Sequence, residues 1–381
     1  EFIDQNKKAP MIHQYSVDLS RELPGNIAIG FEYVGATGRD LGLGGSNDGI
    51  ININQVPVQY LSLGAALNEQ VANPFFGLPA STLSSTSAFS TTSPTVPRRQ
   101  LLRPFPQFGD ILMRQATIGK SQYHAGVFKF EKRVSNGWGG RINYTYSRLM
   151  DNQFGETNFF SATAAEALDA NNIDAEYSIG LLDVPHKITI APIVELPFGE
   201  GKRWAQGGVA AAILGGWTVS AIIGIESGFP IAVYTQNNTT GIFTRMNRGN
   251  PGTGEAETDG SRTDRITPPK GAACTVEPCG SGAEWLNRAA FSAPAPFTLG
   301  TLPRTLSDVR TPDRNNIDFV ASKQIPLKGS MRGEIKLEVL NLNNYPKVRG
   351  PETRIDNASF GQIRTQSGFM RLTQLMFRLS F

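Results

Sequence analysis

The sequence predicts an all-β fold, a transmembrane antiparallel β-barrel, and three features lead to this prediction. Nine segments alternate apolar and polar side chains with a period of two, which is the pattern of strands with one apolar face. The connections between these segments are alternately short and long. The chain ends on Phe381 within the last segment, whereas soluble domains usually end on polar, poorly ordered residues.

The last segment, residues 371–381, has a two-sided pattern. Its apolar face carries Leu375, Phe377, Leu379 and Phe381, and its other face carries Gln374, Met376, Arg378 and Ser380. An open edge strand with such an apolar face promotes aggregation, and a closed barrel supplies the partner that it needs. We therefore interpret these residues as the terminal assembly strand of an outer-membrane barrel, with the barrel-assembly machinery as a partner. An amphipathic edge strand of a soluble sandwich is the alternative.

The other eight segments form four hairpins along the chain. They are residues 13–20 with 27–34, 128–131 with 141–147, 187–196 with 217–226, and 317–325 with 334–339. Gly25 and Asn26 in the first joint, and Asn136 and Gly137 in the second, are residues that tight turns prefer. Pro192 interrupts the fifth segment, where we expect a bulge to accommodate it.

Four long connections separate these hairpins and the last segment. They cover residues 35–119, 151–183, 235–313 and 343–370. Connections of this length are unusual in a compact soluble domain, whereas bacterial outer-membrane barrels combine short periplasmic turns with long extracellular loops. The sequence thus predicts extracellular long loops, periplasmic short turns and a periplasmic C-terminus.

Aromatic and charged residues agree with a barrel in an outer membrane. Trp138 and Trp217 begin strands at the short-turn end, and Tyr15, Tyr33 and Tyr146 lie near the long loops, as two girdles in contact with outer-membrane lipid would. Eight charged residues take the face opposite the aliphatic row, namely Glu32, Arg141, Lys187, Glu195, Glu226, Glu334, Lys336 and Glu338. In a barrel that face is a wet or plugged lumen. The alternative for Glu334 and Glu338 is an acid/base couple, with Lys336 between them.

Composition narrows the function classes. The chain has 381 residues, a net charge of +3 and only 18% charged residues, and its Lys and Arg are scattered, so neither nucleic acid nor an anionic surface is implied as a partner. The longest apolar stretch, 207–217, is too short for a membrane-spanning helix. A nucleophile elbow, an HExxH motif and a phosphate-binding loop are all missing from the sequence, which predicts that the protein is not an enzyme and uses no cofactor.

Two cysteines, Cys274 and Cys279, lie in a stretch rich in Gly, Pro and Thr. Half of a metal site is one interpretation, but the sequence has no second cysteine pair, and the three histidines are far apart. A local disulfide in an oxidising compartment is the favoured interpretation.

Several motifs together resemble the barrel of TonB-dependent outer-membrane receptors, in particular the Oar-like group. They are NPFFG (73–77), LLRPFPQF (101–108), SQYHAG with FEKR (121–133), NYTYSR (143–148), DVPHKITIAPIVELPFGEGKRW (183–204), GGWTVS with ESGFP (215–230), NNIDFVASKQIPL (315–327), EVLNLNNYP (338–346) and Phe381. The resemblance implies a barrel of about 22 strands around a folded plug. Residues 1–381 would then be the C-terminal part of that barrel domain, with the plug and the other strands not in this chain.

The resemblance also implies a function. The complete protein would be a receptor and transporter that takes up an unidentified ligand, energised by an inner-membrane complex acting through the plug. A passive pore or a surface-adhesion barrel is the alternative. Because single-chain barrels have an even number of strands, we expect the segment at His13 to pair with an antiparallel strand that precedes Glu1. The sequence identifies neither the ligand nor the residues that contact it.

Overall fold

The computed structural model describes residues 2–43, 51–83, 87–114, 116–152, 167–242, 247–252, 283–327 and 331–381. Within these ranges, most of the regular structure is one large antiparallel sheet. Its nine long strands are β1 (Met11–Leu23), β2 (Ile27–Leu41), β3 (Gly119–Ser135), β4 (Trp138–Asp151), β5 (His186–Glu195), β6 (Trp217–Glu226), β7 (Arg314–Pro326), β8 (Arg332–Leu340) and β9 (Leu372–Ser380).

The strands follow one another across the sheet in chain order, and each is antiparallel to the next. Each of the nine predicted segments is therefore a strand of this sheet. A short strand, Ser178–Ile179, also pairs with β4. Within the described residues, β1 and β9 pair on one side only, so the sheet is open at both edges.

The register aligns the apolar residues of neighbouring strands on one face. One row across the sheet consists of Leu19, Phe31, Phe128, Tyr144, Ile188 and Ile225. Large apolar side chains on this face are exposed, for example Val17 at 61% and Leu375 at 73%. Such an apolar face, with its large side chains mostly exposed or half-buried, matches a lipid-facing surface. We call it the apolar face and the opposite one the polar face.

The turns follow from their residues. Asn136 and Gly137 join β3 to β4 with φ angles of 53° and 81°. These left-handed conformations are those of a two-residue type I′ turn, which Asn-Gly adopts readily. Gly25 and Asn26 have φ angles of 87° and 61° between β1 and β2. Both predicted turns are therefore present.

Pro192 is accommodated differently from the expected bulge. It pairs with Gly140 of β4, and the register between β5 and β4 continues unchanged on both sides. A Cβ atom at Gly140 would lie 2.8 Å from the Ala191 carbonyl oxygen. The missing side chain on the neighbouring strand makes room for the proline, so the prediction of a bulge is wrong.

The joints at one end of the sheet differ from those at the other. We define the short-turn end by the joints 24–26, 136–137, 196–216 and 327–331, and the long-loop end by the connections 42–118, 152–185, 227–313 and 341–371. The joint 196–216 is the longest of the four at the short-turn end, and it contains the helix α2 (Gly208–Leu214). Among the described residues, none of the helices is long and apolar enough to span a bilayer.

The long connections contain only short elements. A helix, α1, spans Arg98–Leu101, and 3-10 turns span Val58–Asn68, Ala80–Thr82, Ile173–Glu176 and Arg288–Ala290. Short strands span Phe2–Ile3, Ile51–Asn52, Gln70–Ala72, Thr95–Pro97, Leu112–Arg114, Pro230–Ile231, Tyr234–Thr235, Asn247–Arg248, Asn250–Pro251, Ala283–Glu284, Phe291–Ser292, Leu306–Arg310 and Gln362–Ile363.

The hydrophobic cores lie in these connections and not in the sheet. One core consists of Ile231, Val233, Leu286, Phe291, Leu302, Leu306, Val309, Ile355 and Phe360, which come from the third and fourth long connections. A second core consists of Leu43, Ile51, Ala116, Ala167 and Ile173, from the first and second. We call the four packed connections the loop layer. The sheet instead directs its apolar side chains outward.

Candidate functional site

The polar face of the sheet carries charges that pair across strands. Lys129 Nζ lies 2.9 Å from an oxygen of Asp18 and 2.7 Å from one of Glu32. Arg314 is 2.6 Å from Glu226 on the next strand. These side chains are between one quarter and one half exposed. The pairs neutralise the polar face of the sheet without burying it.

All eight charged residues predicted for the lumen lie on the polar face, as their register shows. Lys336 forms an ion pair with Glu338. Glu334 is two residues away on the same face and faces Gln324 and Arg378 on the neighbouring strands. Glu334 and Glu338 are thus part of a charged wall, and the geometry favours this interpretation over an acid/base couple.

Tyrosine and histidine mark the apolar face near the long-loop end. The Tyr33 hydroxyl lies 2.6 Å from His124 Nδ1, and the Tyr144 hydroxyl lies 2.8 Å from His186 Nδ1. The Tyr15 ring lies over Gly35, where an added Cβ atom would come within 2.2 Å of it. Rings with a polar tip are typical of the boundary between lipid and water, so this belt indicates where the membrane ends.

Tryptophan and lysine mark the same face near the short-turn end. Lys132 Nζ lies 4.2 Å from the centre of the Trp138 ring, and Lys323 Nζ lies 5.8 Å from that of Trp217. The register places both lysines on the apolar face, opposite Ile27 and Ile335 respectively. The two tryptophans were predicted from the sequence and the two lysines were missed. The sequence did contain a signal for the two lysines, because each stands at a position where the alternation otherwise places an apolar residue.

The terminal strand lies where the sequence places it. Leu375, Phe377 and Leu379 are on the apolar face, opposite Leu337, Ile335 and Gly333 of β8. Phe381 follows the end of β9 and is 85% exposed. The exposed row leaves one edge of the sheet apolar. A role of this row in assembly stays a prediction.

Buried ion pairs hold the third long connection against β4 and the second connection. Three arginines of the third long connection contact three acidic residues of β4 and the second connection: Arg248 with Glu176 at 2.8 Å, Arg304 with Asp151 at 2.6 Å, and Arg310 with Asp183 at 2.6 Å. The side chains of Arg248 and Arg304 are only 2% and 3% exposed. Burial lowers the pKa of Arg304, and the charge of Asp151 opposes this shift. Removing one partner of such a pair would leave the other charge buried.

The fourth long connection is held to the third by a second charged group. The Arg354 guanidinium donates to Glu352 at 2.7 Å and to the side chain of Gln236 at 2.8 Å. The hydrogen bond from Arg354 lowers the pKa of Glu352. Burial would raise the pKa of Asp356, but hydrogen bonds from the backbone N–H groups of Asn237 and Gln236 outweigh it, and the pKa is lowered. Both carboxylates therefore stay charged at neutral pH.

Two of the motifs that carry the resemblance fold the first long connection. In 73–77, Asn73 donates to the carbonyl oxygens of Ser90 and Ser93 at 2.7 and 2.6 Å. In 101–108, the buried Arg103 donates to the Asn54 carbonyl oxygen at 3.0 Å and to Asp110 at 2.9 Å. These side chains donate to backbone carbonyl groups of the loop. Their role is to hold the loop in one conformation.

A cleft of about 970 Å³ lies at the long-loop end, between residues 4–8, the first and second connections, the end of β2 and the start of β3. Its charged lining includes Lys8, Arg39, Asp40, Lys120 and Asp174. Lys120 forms an ion pair with Asp174 at 2.7 Å. The lining offers both donors and acceptors, which suits a polar ligand of either charge.

Cys274 and Cys279 lie outside the described residues, so their disulfide stays a prediction. The part of the chain that the structure describes contains no group of three or more His, Cys, Asp or Glu placed to bind a metal ion.

A comparison with known protein families agrees with the geometry of the sheet. Residues 1–374 match a family described as "Outer membrane beta barrel domain". Among solved structures, the chain is similar to the outer membrane transporter YddB from Escherichia coli, with a TM-score of 0.43 and 9% sequence identity over 98% of this chain and 33% of that chain. This chain therefore spans about a third of that transporter. No curated protein sequence matches it significantly. Because the family match covers nearly the whole chain, the protein belongs to the family of outer membrane β-barrel domains and is located in the outer membrane.

Proposed function

We propose that this chain is the C-terminal part of the barrel of a TonB-dependent outer-membrane receptor of the Oar-like group. The complete protein takes up an unidentified extracellular ligand in an energised step. The observation that carries the proposal is the loop layer, in which the described parts of four long connections pack through two hydrophobic cores and buried ion pairs, at one end of a sheet with a charged, polar face. A packed layer of this kind suits a protein that recognises its ligand before admitting it.

The loop layer has the construction of a recognition surface. Its two hydrophobic cores and its buried arginines fix the backbone, and a fixed backbone presents side chains to a ligand with little loss of entropy on binding. The cleft beside Lys120 and Asp40 is a concave part of this surface. We propose the cleft as a region of ligand contact.

The polar face suits a plug. Its ion pairs leave each charged side chain between about one quarter and two thirds exposed, so the face remains hydrated or contacts another polar surface. A plug would supply such a surface and would transmit force from the inner-membrane energy-coupling complex. The plug itself is proposed to lie outside this chain.

The open sheet supports a larger barrel. Because nine long strands follow one another antiparallel across the described sheet, β1 and β9 run in the same direction, and direct closure would need a parallel seam. Unpaired edges are strongly unfavourable in lipid. We propose that β1 pairs with an antiparallel strand outside this chain in a barrel of about 22 strands. Expressed alone, this chain should aggregate or be degraded, and a monomeric closed barrel of nine strands would contradict the proposal.

The proposed orientation puts the loop layer outside the cell and the short-turn end, with the C-terminus, in the periplasm. Tyrosines toward the long loops and tryptophans toward the short turns support two membrane boundaries. The partners in this arrangement are outer-membrane lipid, the barrel-assembly machinery, the energy-coupling complex and the extracellular ligand.

A liposome experiment separates the proposal from its alternative, a passive pore or an adhesion barrel. The intact protein is reconstituted into liposomes, and swelling is measured in arabinose and in stachyose. A plugged importer should give no swelling above protein-free liposomes, and the periplasmic domain of the energy-coupling protein should bind to its plug segment. Rapid swelling would establish a passive pore. Absence of both swelling and binding would favour the adhesion barrel.

A further inference from the structure

Helix α2 (Gly208–Leu214) presents apolar side chains that the described protein does not cover. Its sequence contains no charged residue. Val209 is 75% exposed, Ile213 is 61% exposed and Leu214 is 46% exposed. A helix of seven residues has little stability of its own in water, and exposing these side chains adds to the cost. The helix therefore needs an apolar surrounding from outside the described residues.

Lys323 fastens the end of α2 to the apolar face of the sheet. Its Nζ donates to the carbonyl oxygens of Ala212 and Ile213. Trp217 Nε1 donates to the Ile213 carbonyl oxygen at 3.0 Å. The last carbonyl groups of a helix have no partner within the helix, and a cation there also complements the helix dipole. Since Lys323 and Trp217 both face outward, α2 is held on the lipid-facing side.

The pair of Lys132 and Trp138 indicates the depth of α2 relative to the membrane. Lys132 is also on the apolar face, and its Nζ donates to Ser135 Oγ at 2.7 Å and to the Trp138 carbonyl oxygen at 2.9 Å. Lys132 and Lys323 are only 7% and 9% exposed. A lysine on a lipid-facing surface is tolerated near the membrane boundary and not at its centre, and tryptophan prefers the same level. The two pairs thus place α2 at the boundary.

Basic and aromatic residues precede α2 in the same joint. The guanidinium of Arg203 lies 5.2 Å from the centre of the Trp204 ring, and Trp204 is 50% exposed. The neighbouring Lys202 is bound to Glu195 at 2.8 Å. An exposed cation and an indole beside an uncharged apolar helix are typical of interfacial helices. A guanidinium also matches the geometry of a phosphate group.

We propose that residues 202–214 form a lipid-interface anchor. α2 inserts Val209, Ile213 and Leu214 at the boundary between headgroups and acyl chains, and Arg203 binds a phospholipid phosphate. The occupant is phospholipid because α2 is continuous with the lipid-facing side of the sheet through Lys323. In the proposed orientation this is the periplasmic leaflet. The anchor rests on membership in the barrel family and is independent of uptake.

The test uses the intact protein with Cys274→Ser and Cys279→Ser, reconstituted in vesicles of phosphatidylethanolamine and phosphatidylglycerol. An environment-sensitive fluorophore is attached through Val209→Cys, and the acyl chains carry bromine either near the headgroup or near the chain end. We expect blue-shifted emission and quenching at least about twofold stronger with the shallow bromines. The matched control is Thr218→Cys, at a similar depth but on the polar face, which should be unaffected by bromine.

Two results would overturn the proposal. Water-like emission at position 209 without bromine quenching would show that α2 is in water, and blue-shifted emission without quenching would show that a protein segment covers it. Lys323→Met and the milder Trp217→Phe, which removes only the indole donor, should both reduce quenching at position 209. Heat-modifiable migration checks that each variant is folded. Unchanged quenching in both folded variants would show that Lys323 and Trp217 do not hold α2 against the apolar face.

Discussion

The loop layer and the sheet are stabilised in opposite ways. The loop layer buries its apolar side chains and encloses ion pairs such as Arg304 with Asp151, as a soluble domain does. The sheet exposes its apolar side chains on one face and keeps its ion pairs half exposed on the other. Equivalent substitutions should therefore have different effects in the two regions. A membrane replaces the hydrophobic core for the sheet, whereas the loop layer carries its own.

The largest effect is expected from a substitution of the last residue. It compares the end of the sheet with a residue of the loop layer. Phe381→Ser removes the apolar end of the terminal row and should abolish assembly into the outer membrane. Phe369→Ser is the matched control, because Phe369 is 93% exposed and lies at the other end of β9. The amount of heat-modifiable barrel in the membrane fraction checks this. Normal assembly of the Phe381 variant would refute the role of this row.

The next prediction compares the loss of stability when a buried ion pair is broken with the loss when an exposed one is broken. Arg304→Met leaves Asp151 buried without this cation and should destabilise the loop layer by about 3–5 kcal/mol. Arg141→Met, at an exposed pair with Glu131, should cost about 0–1 kcal/mol. Urea-dependent proteolysis of the loops in the assembled barrel measures both.

A double substitution tests the reason for this difference. Arg304→Met with Asp151→Leu should recover much of the lost stability, because the buried charge of Asp151 is then removed together with that of its partner. Equal losses in the Arg304 and Arg141 single variants would show that the two regions do not differ.

Two adjacent isoleucines of β6 compare the faces of the sheet. Ile223 lies in the apolar row and Ile222 on the polar face, opposite Asp318. Ile223→Arg should destabilise the barrel by about 2–4 kcal/mol if the residue is near the middle of the membrane. Ile222→Arg should change stability by less than about 0.5 kcal/mol. Urea unfolding in lipid vesicles checks the pair, and the opposite ranking would assign the faces the other way round.

The smallest expected effect is a loss of loop-layer stability at acidic pH. The pKa of Glu352 is lowered by the hydrogen bond from Arg354, so its contribution to the loop layer is present above the ordinary glutamate pKa of about 4.3 and is lost as pH falls through the lowered value. Protease resistance of the fourth connection should therefore decrease below about pH 4. Glu352→Gln should weaken this dependence, whereas Glu69→Gln, at an exposed pair with Arg98, should not. An unchanged pH dependence of protease resistance in the Glu352 variant would show that this carboxylate does not stabilise the loop layer.

The sequence was sufficient for the sheet but not for the loop layer. Alternation locates strands because one face is apolar along the whole strand, and the register then follows from aligned rows such as Phe31 with Phe128. Buried pairs such as Arg248 with Glu176 join residues far apart in the chain, and no local period records them. Lys132 and Lys323 interrupt an otherwise apolar alternation, so their positions were visible, but only the structure shows the carbonyl groups that accept from them.

The central claim is that one sheet spans the outer membrane with the loop layer outside and the short turns inside. Epitope tags inserted near Ser87 or Gly254, in long connections, and at Gly25 or Asn136, in short turns, test it directly. On intact cells, antibody should reach the tags near Ser87 and Gly254, and it should reach those at Gly25 and Asn136 only after the outer membrane is permeabilised. Labelling of the short-turn tags on intact cells, with the long-loop tags protected, would contradict the claim.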